Sequence, residues 1–302
     1  GIDTRFDALQ LEFRRRLSEG LLIQASYQFS KAFSNSYSSS AVVASNPRTL
    51  RNNKLDRTFS PWDIRHAFKA DWIYELPFGP GKKFASSNNP VLSRVVGGWQ
   101  LGGVVRIQSG ATFLLSSGRA TFNQNEAGVE LRNISREQLQ DLVKIRKTTI
   151  CNPLTGRCQG IVYWLPLDII NNTLAAFEVG GKTLNDLNRA APYIGPPTTP
   201  GKLGQRILLY GPMTTRFDLN LVKSIRLTER VRFEGRVQML NAFNNQNFII
   251  GGENESVNDP THNVSAGSSF FGQNRFAYRD PTVSGTNDPG GRIIEFQLRL
   301  KF

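Results

Sequence analysis

The chain has 302 residues, of which 39% are hydrophobic and 20% charged, and a formal net charge of +13. No apolar run reaches the eighteen residues that a membrane-spanning helix needs, so a helical membrane protein is excluded. Lys and Arg are scattered along the chain and form no basic helix or tail, which argues against nucleic acid as the partner.

Gly1 is not a start methionine, and no signal-peptide pattern follows it. The chain is expected to be processed or to be a piece of something longer. From there the hydrophobic pattern has period two. Leu9, Leu11 and Phe13 alternate with Gln10, Glu12 and Arg14. Ile23, Ala25, Tyr27 and Phe29 alternate with Gln24, Ser26 and Gln28. The short Ser18-Glu19-Gly20 stretch between them predicts a hairpin. A third strand is expected over 64–76, with Phe68, Ala70, Trp72, Tyr74 and Leu76 on one face. A fourth is expected over 99–109, with Trp99, Leu101, Val105 and Ile107 opposed to Gln100, Arg106 and Gln108. The Gly-Gly pairs at 97–98, 102–103 and 290–291 lack a phosphate-loop pattern and read as bends or close backbone approaches.

The stretch 110–213 is too long for a bare connection. Within it, Ser135-Arg-Glu-Gln138 matches a capping box and predicts a short helix to about Lys147. Cys151 and Cys158 flank a Pro- and Gly-containing turn. In an oxidising compartment they read as a disulfide-closed loop; the alternatives are free thiols or a zinc site, and His66 and His262 are the only histidines available for zinc. Strands follow over 214–226 (Phe217, Leu219, Leu221, Ile225) and 231–243 (Val231, Phe233, Val237, Met239). The segment Gly251–Asp259 is rich in oxygen ligands but lacks EF-hand spacing, so a solvated loop is the default over calcium. The last strand alternates throughout: Ile294, Phe296, Leu298, Leu300 and Phe302 against Glu295, Gln297, Arg299 and Lys301.

Alternation alone fits a soluble sandwich as well as a barrel. The connections discriminate. They run short (18–20), long (34–62), medium (77–98), long (110–213), short (227–230) and long (244–291). Outer-membrane barrels place short turns at the periplasmic end and long loops outside. The expected fold is therefore an all-β transmembrane antiparallel β-barrel, with about seven strands visible, in the outer membrane of a Gram-negative bacterium. The last strand then runs down to the periplasm. Trp72, Tyr74, Trp99 and Phe233 fall near the periplasmic interface, and Tyr27, Phe29 and Phe217 near the outer one, as an aromatic girdle. The charged face faces water. No catalytic constellation is visible, so neither an enzyme nor a cofactor is expected.

The terminal stripe of Ile294, Phe296, Leu298, Leu300 and Phe302 resembles the β-signal that the barrel-assembly machinery reads. Asp63-Ile-Arg-His-Ala-Phe68, Tyr74-Glu-Leu-Pro-Phe-Gly79, Gly98-Trp-Gln-Leu-Gly102, Gln108-Ser-Gly110, Thr228-Glu-Arg-Val-Arg-Phe233 and Asn241-Ala-Phe-Asn-Asn-Gln-Asn-Phe248 together resemble Oar-like TonB-dependent receptors. That resemblance implies a barrel of about 22 strands with an N-terminal plug, of which residues 1–302 are the C-terminal portion and 110–213 a large extracellular insertion. It implies TonB-energised uptake of a siderophore, glycan or peptide, through a plug that precedes this stretch. The partners it implies are outer-membrane lipid and lipopolysaccharide, the barrel-assembly machinery and the TonB complex. A non-transport surface protein, adhesin or scaffold, is the alternative.

Overall fold

The computed structural model describes residues 3–35, 52–60, 62–85, 89–119, 128–151, 156, 158–199, 202, 204–248, 250, 264–274 and 291–302. Seven long strands form one antiparallel sheet: β1 (Thr4–Ser18), β2 (Leu21–Ser34), β3 (His66–Glu75), β4 (Trp99–Gln108), β5 (Thr214–Arg226), β6 (Arg232–Leu240) and β7 (Ile293–Lys301). Each pairs with the next in chain order, and a two-residue strand, Thr58–Phe59, pairs onto β2. Neighbours in sequence are thus neighbours in space, the simplest connectivity for an antiparallel wall. β1 and β7 are the two edges of the sheet, and among the described residues they do not pair with each other.

The register sorts side chains into two faces, because successive residues in a strand point to opposite sides. One cross-strand row runs Phe13, Ala25, Ala70, Val105 and Phe217. The next runs Leu11, Tyr27, Phe68, Ile107 and Thr215. On the same face, Leu219 is partnered by Met239 and then Ile294, and Leu221 by Val237 and then Phe296. The opposite face carries Glu12, Ser26, Lys69, Arg106 and Arg216 in one row, and Arg14, Gln24, Asp71, Val104 and Asp218 in another. A one-residue slip in any strand would exchange the two sets.

The expected strands are all present with shifted ends. β1 begins earlier than the alternation suggests, at Thr4, and β2 runs on to Ser34. β6 stops at Leu240, because Asn241 takes a left-handed conformation (φ 48°) and its amide side chain holds the following turn at Asn245. Glycine is required where backbone or rings pass closely. A Cβ on Gly103 would meet the Trp72 ring at 2.4 Å, and one on Gly102 would meet the Asn220 amide at 2.7 Å. The Gly-Gly pair at 102–103 is therefore a close-approach site on both faces of β4.

Short turns and long connections segregate by end. Glu19-Gly20 joins β1 to β2, with positive φ at both residues (52° and 82°). The connection between β3 and β4 contains a helix that the sequence pattern did not announce, α1 (Pro90–Val96), opened by Asn89, whose side chain accepts from the amides of Val91 and Leu92. At the other end, β4 and β5 continue past a neck as a second antiparallel pair, Thr112–Leu115 with Ile207–Tyr210. At the neck a Cβ on Gly110 would meet the Gly211 carbonyl oxygen at 2.2 Å, so the two backbones cross without side chains between them.

The insertion beyond the neck is a folded cap with its own core. It contains α2 (Arg136–Asp141), α3 (Leu167–Phe177) and three small sheets. The capping box at α2 is present: the Gln138 amide donates to Ser135 Oγ (3.1 Å) and the Ser135 amide to Gln138 Oε1 (2.9 Å). The helix is shorter than expected and does not reach Lys147. The β-branched run Thr148-Thr149-Ile150 pairs instead as a strand, Arg146–Cys151 with Cys158–Tyr163. Trp164 is fully buried, edge-on to Phe113 (5.1 Å) and to Phe271 (5.4 Å). Phe271 belongs to the third long connection, as do Val264, Ala266 and the strand Gln273–Asn274 that pairs with Val162 and Tyr163. The cap is therefore built from two connections, 110–213 and the described part of 244–291.

Candidate functional site: the charged wall and its cap

Most of the charged residues of the seven strands share one face. Glu12, Arg14, Lys69, Asp71, Glu75, Arg106, Asp218, Arg232, Glu234, Arg236, Glu295 and Arg299 all fall on the polar side of the register. They are arranged as local pairs of opposite sign. Arg216 Nε lies 3.0 Å from Asp218, Arg14 2.7 Å from Glu12, and Glu234 takes Lys301 at 2.6 Å and Arg236 at 3.7 Å. Partners two residues apart on one strand necessarily face the same way. Of these pairs, the exposed Arg14–Glu12 contributes at most about 1 kcal/mol. Their value is a hydrated surface of mixed sign.

The seven girdle residues lie together on the other face. Trp72, Tyr74, Trp99 and Phe233 sit toward the short-turn end, and Tyr27 and Phe29 toward the long-connection end. Phe217 meets Phe243 edge-on at 5.1 Å, so it is held by the turn after β6. The Tyr27 hydroxyl is 2.7 Å from His66 Nδ1. In the next row beyond Phe29 comes the charged pair Asp7 and Lys31, which marks the end of the apolar band. Ile294, Phe296, Leu298 and Leu300 continue the apolar face along the β7 edge, where Phe296 is 76% and Leu298 75% exposed; Phe302 follows as the last residue. A cavity of about 420 Å³ near the neck is lined by Tyr27, His66, Phe68, Ile107, Tyr210 and Met213. Its floor belongs to the apolar rows, so it opens away from the charged face.

A wall that exposes large aromatics and aliphatics on one side and charges on the other needs an apolar solvent on the first side and water on the second. A family model described as an outer membrane beta barrel domain matches residues 1–294. The chain belongs to that family. No curated protein and no solved structure matches it. Its apolar face is the lipid-facing surface of a β-barrel in the Gram-negative outer membrane, and its charged face lines the barrel interior.

The cap is held to the rim by a network that the sequence reading missed. Tyr210, the last residue of its strand, donates its hydroxyl proton to Asp63 Oδ2 (2.6 Å). Asp63 is buried, and its other oxygen accepts from the Ala32 amide at 2.6 Å. Arg65 reaches both Asp63 (3.2 Å) and the Tyr210 oxygen (2.5 Å), with its guanidinium over the rings of Phe59 (4.8 Å) and Tyr210 (5.5 Å). Burial, reinforced by the Asp63 carboxylate, pushes the Tyr210 hydroxyl up to about 12. A second tie joins Arg206 to the buried Asp56 at 3.3 Å. Asp63 and Arg65 lie inside a motif quoted for the family resemblance, but nothing local pairs them with Tyr210, 147 residues on from Asp63.

Cys151 and Cys158 are direct cross-strand partners at the tip of the cap hairpin, and Cys158 is disulfide-bonded. No cluster of three metal-ligating side chains occurs among the described residues. The calcium candidate at Gly251–Asp259 lies outside them.

Proposed function

We propose that this chain is the C-terminal part of the barrel of an Oar-like TonB-dependent receptor. In this reading the short turns face the periplasm. The cap and the long connections capture a ligand outside, and the charged interior face lines its hydrated passage. A plug energised by the TonB complex gates that passage. The observation that carries the proposal is the cap. It is a folded module with a dry core, tied by the Asp63–Tyr210–Arg65 network to the rim of a wall whose inner face is hydrated and of mixed charge. Such an arrangement suits selective capture above a passage. The ligand class is a siderophore, glycan or peptide, and no catalytic role is assigned to the chain. Phe302 and the apolar stripe before it are proposed to serve the barrel-assembly machinery as well as the lipid.

The test uses the full-length protein extracted from outer membranes and the purified periplasmic domain of TonB. Direct association of the two supports the receptor reading. No association, together with a reading frame upstream of Gly1 that encodes neither plug nor TonB box, would leave an adhesin or scaffold that displays the cap.

A further inference from the structure

The connection between β3 and β4 lies at the short-turn end of the wall, away from the cap, and its described part contains a helix. Its helix α1 (Pro90–Val96) ends against Lys223 and Trp99, which are cross-strand partners. Both belong to the lipid-facing rows: Lys223 is followed across the sheet by Gly235 and Leu298. A lysine on a lipid face demands compensation for its charge. Here Lys223 Nζ donates to the carbonyl oxygens of Arg94 (2.7 Å), Val95 (2.7 Å) and Gly97, and it lies 4.9 Å from the centre of the Trp99 ring. A cation on the last carbonyls of a helix meets the negative end of its dipole. Trp99 Nε1 donates to the same Val95 oxygen at 3.0 Å.

These contacts fix the side on which the helix lies. Because Lys223 and Trp99 project from the lipid face, the helix end they hold sits outside the barrel wall. The return to β4 is equally constrained: a Cβ on Gly98 (φ 73°) would meet the Ser224 carbonyl oxygen at 2.3 Å. Val95 stands four residues from Val91 and three from Leu92, which brings it beside both on the helix surface, and all three are exposed. Phe78 and Phe84, whose ring centres are 6.1 Å apart, are exposed on the same connection. From Leu76 to Gly98 the sequence contains Lys82, Lys83 and Arg94 and no Asp or Glu.

We propose that α1 and its flanking turn are an interfacial anchor that binds the anionic phospholipid surface of the membrane leaflet at the short-turn end. Val91, Leu92 and Val95 enter the boundary between headgroups and acyl chains, and Lys83 and Arg94 meet the phosphates. The occupant is lipid because the helix is continuous with the lipid-facing wall that holds it. Apolar side chains with interspersed cations are the composition that lies in an interface. The inference rests on the membrane location and not on transport.

The experiment uses the full-length protein reconstituted in phosphatidylcholine vesicles with or without phosphatidylglycerol. Leu92→Cys, Val95→Cys and, as control in the other exposed short turn, Glu229→Cys each carry a polarity-sensitive fluorophore. Labelling is done without reduction, so that Cys158 stays in its disulfide. Labels at positions 92 and 95 are expected to be blue-shifted and quenched by lipids carrying a shallow spin label. The label at 229 is expected to be quenched by aqueous iodide instead. Phosphatidylglycerol should deepen lipid quenching at 92, and Lys83→Glu with Arg94→Glu should abolish that increment. Iodide quenching at 92 and 95 equal to that at 229, in barrels with normal heat resistance, would overturn the anchor. Lipid quenching indifferent to phosphatidylglycerol would overturn the anionic selectivity.

Discussion

The wall and the cap use the same apolar residue types and bury them in opposite senses. In the cap, Trp164, Leu165, Phe113 and Phe271 are inaccessible at the centre of a closed cluster. In the wall, Leu9, Leu11 and Phe13 of β1 and Phe296 and Leu298 of β7 stand open. The cap folds against water, so its apolar side chains turn inward. The wall lies between lipid and water, so its apolar side chains turn outward and its ion pairs turn in. Exposure of a leucine thus says nothing about misfolding until the solvent on that side is known.

That contrast can be broken by mutation. The largest effect is expected from Trp164→Ala, which opens a cavity among Phe113 and Phe271 and should cost the cap about 3–5 kcal/mol. Protease treatment of intact cells should then cut the cap readily, while the barrel keeps its heat-modifiable mobility on gels. A parallel loss of heat resistance would mean that cap and wall unfold as one unit.

The seam between them responds to Tyr210→Phe. The change withdraws a proton donor from buried Asp63 and should cost about 1.5–3 kcal/mol. The pH dependence has a definite sign. The folded-state pKa of Tyr210 is raised, so its contribution is complete below the unfolded value of about 10 and is lost as pH rises through about 12. Ultraviolet titration of the folded protein should show one phenolate forming near that upper value, and that step should be missing in Tyr210→Phe. An unchanged titration would remove the seam from the account.

The smallest effect on stability is expected at the edge of the wall. Phe302→Ser removes at most about 2 kcal/mol of apolar burial. If Phe302 is a signal for assembly, membrane-inserted yield should fall sharply while the melting temperature of the inserted fraction stays nearly normal. Normal yield with a lowered melting temperature would leave Phe302 with a structural role alone.

The sequence by itself determined the wall. Period-two alternation from Leu9 to Phe13 and from Ile294 to Phe302 assigns faces directly, because strand geometry maps odd and even residues to opposite sides. The alternation of short and long connections separated its two ends, because successive antiparallel strands turn at opposite ends, and the Ser135–Gln138 capping box was legible within four residues. Tertiary structure alone decided what required contact between distant segments. The strand beginning at Arg146 displaced the expected helix because Cys158–Tyr163 was there to pair with it. Phe271 joined the cap from a connection more than a hundred residues after Phe113. Tyr210 found Asp63, and Lys223 found the last carbonyls of α1. A strand's alternation is a property of its own backbone. A buried carboxylate's partner, or a lipid-facing lysine's, is fixed only when the sheet brings two remote stretches together and excludes the water that would otherwise have served either one.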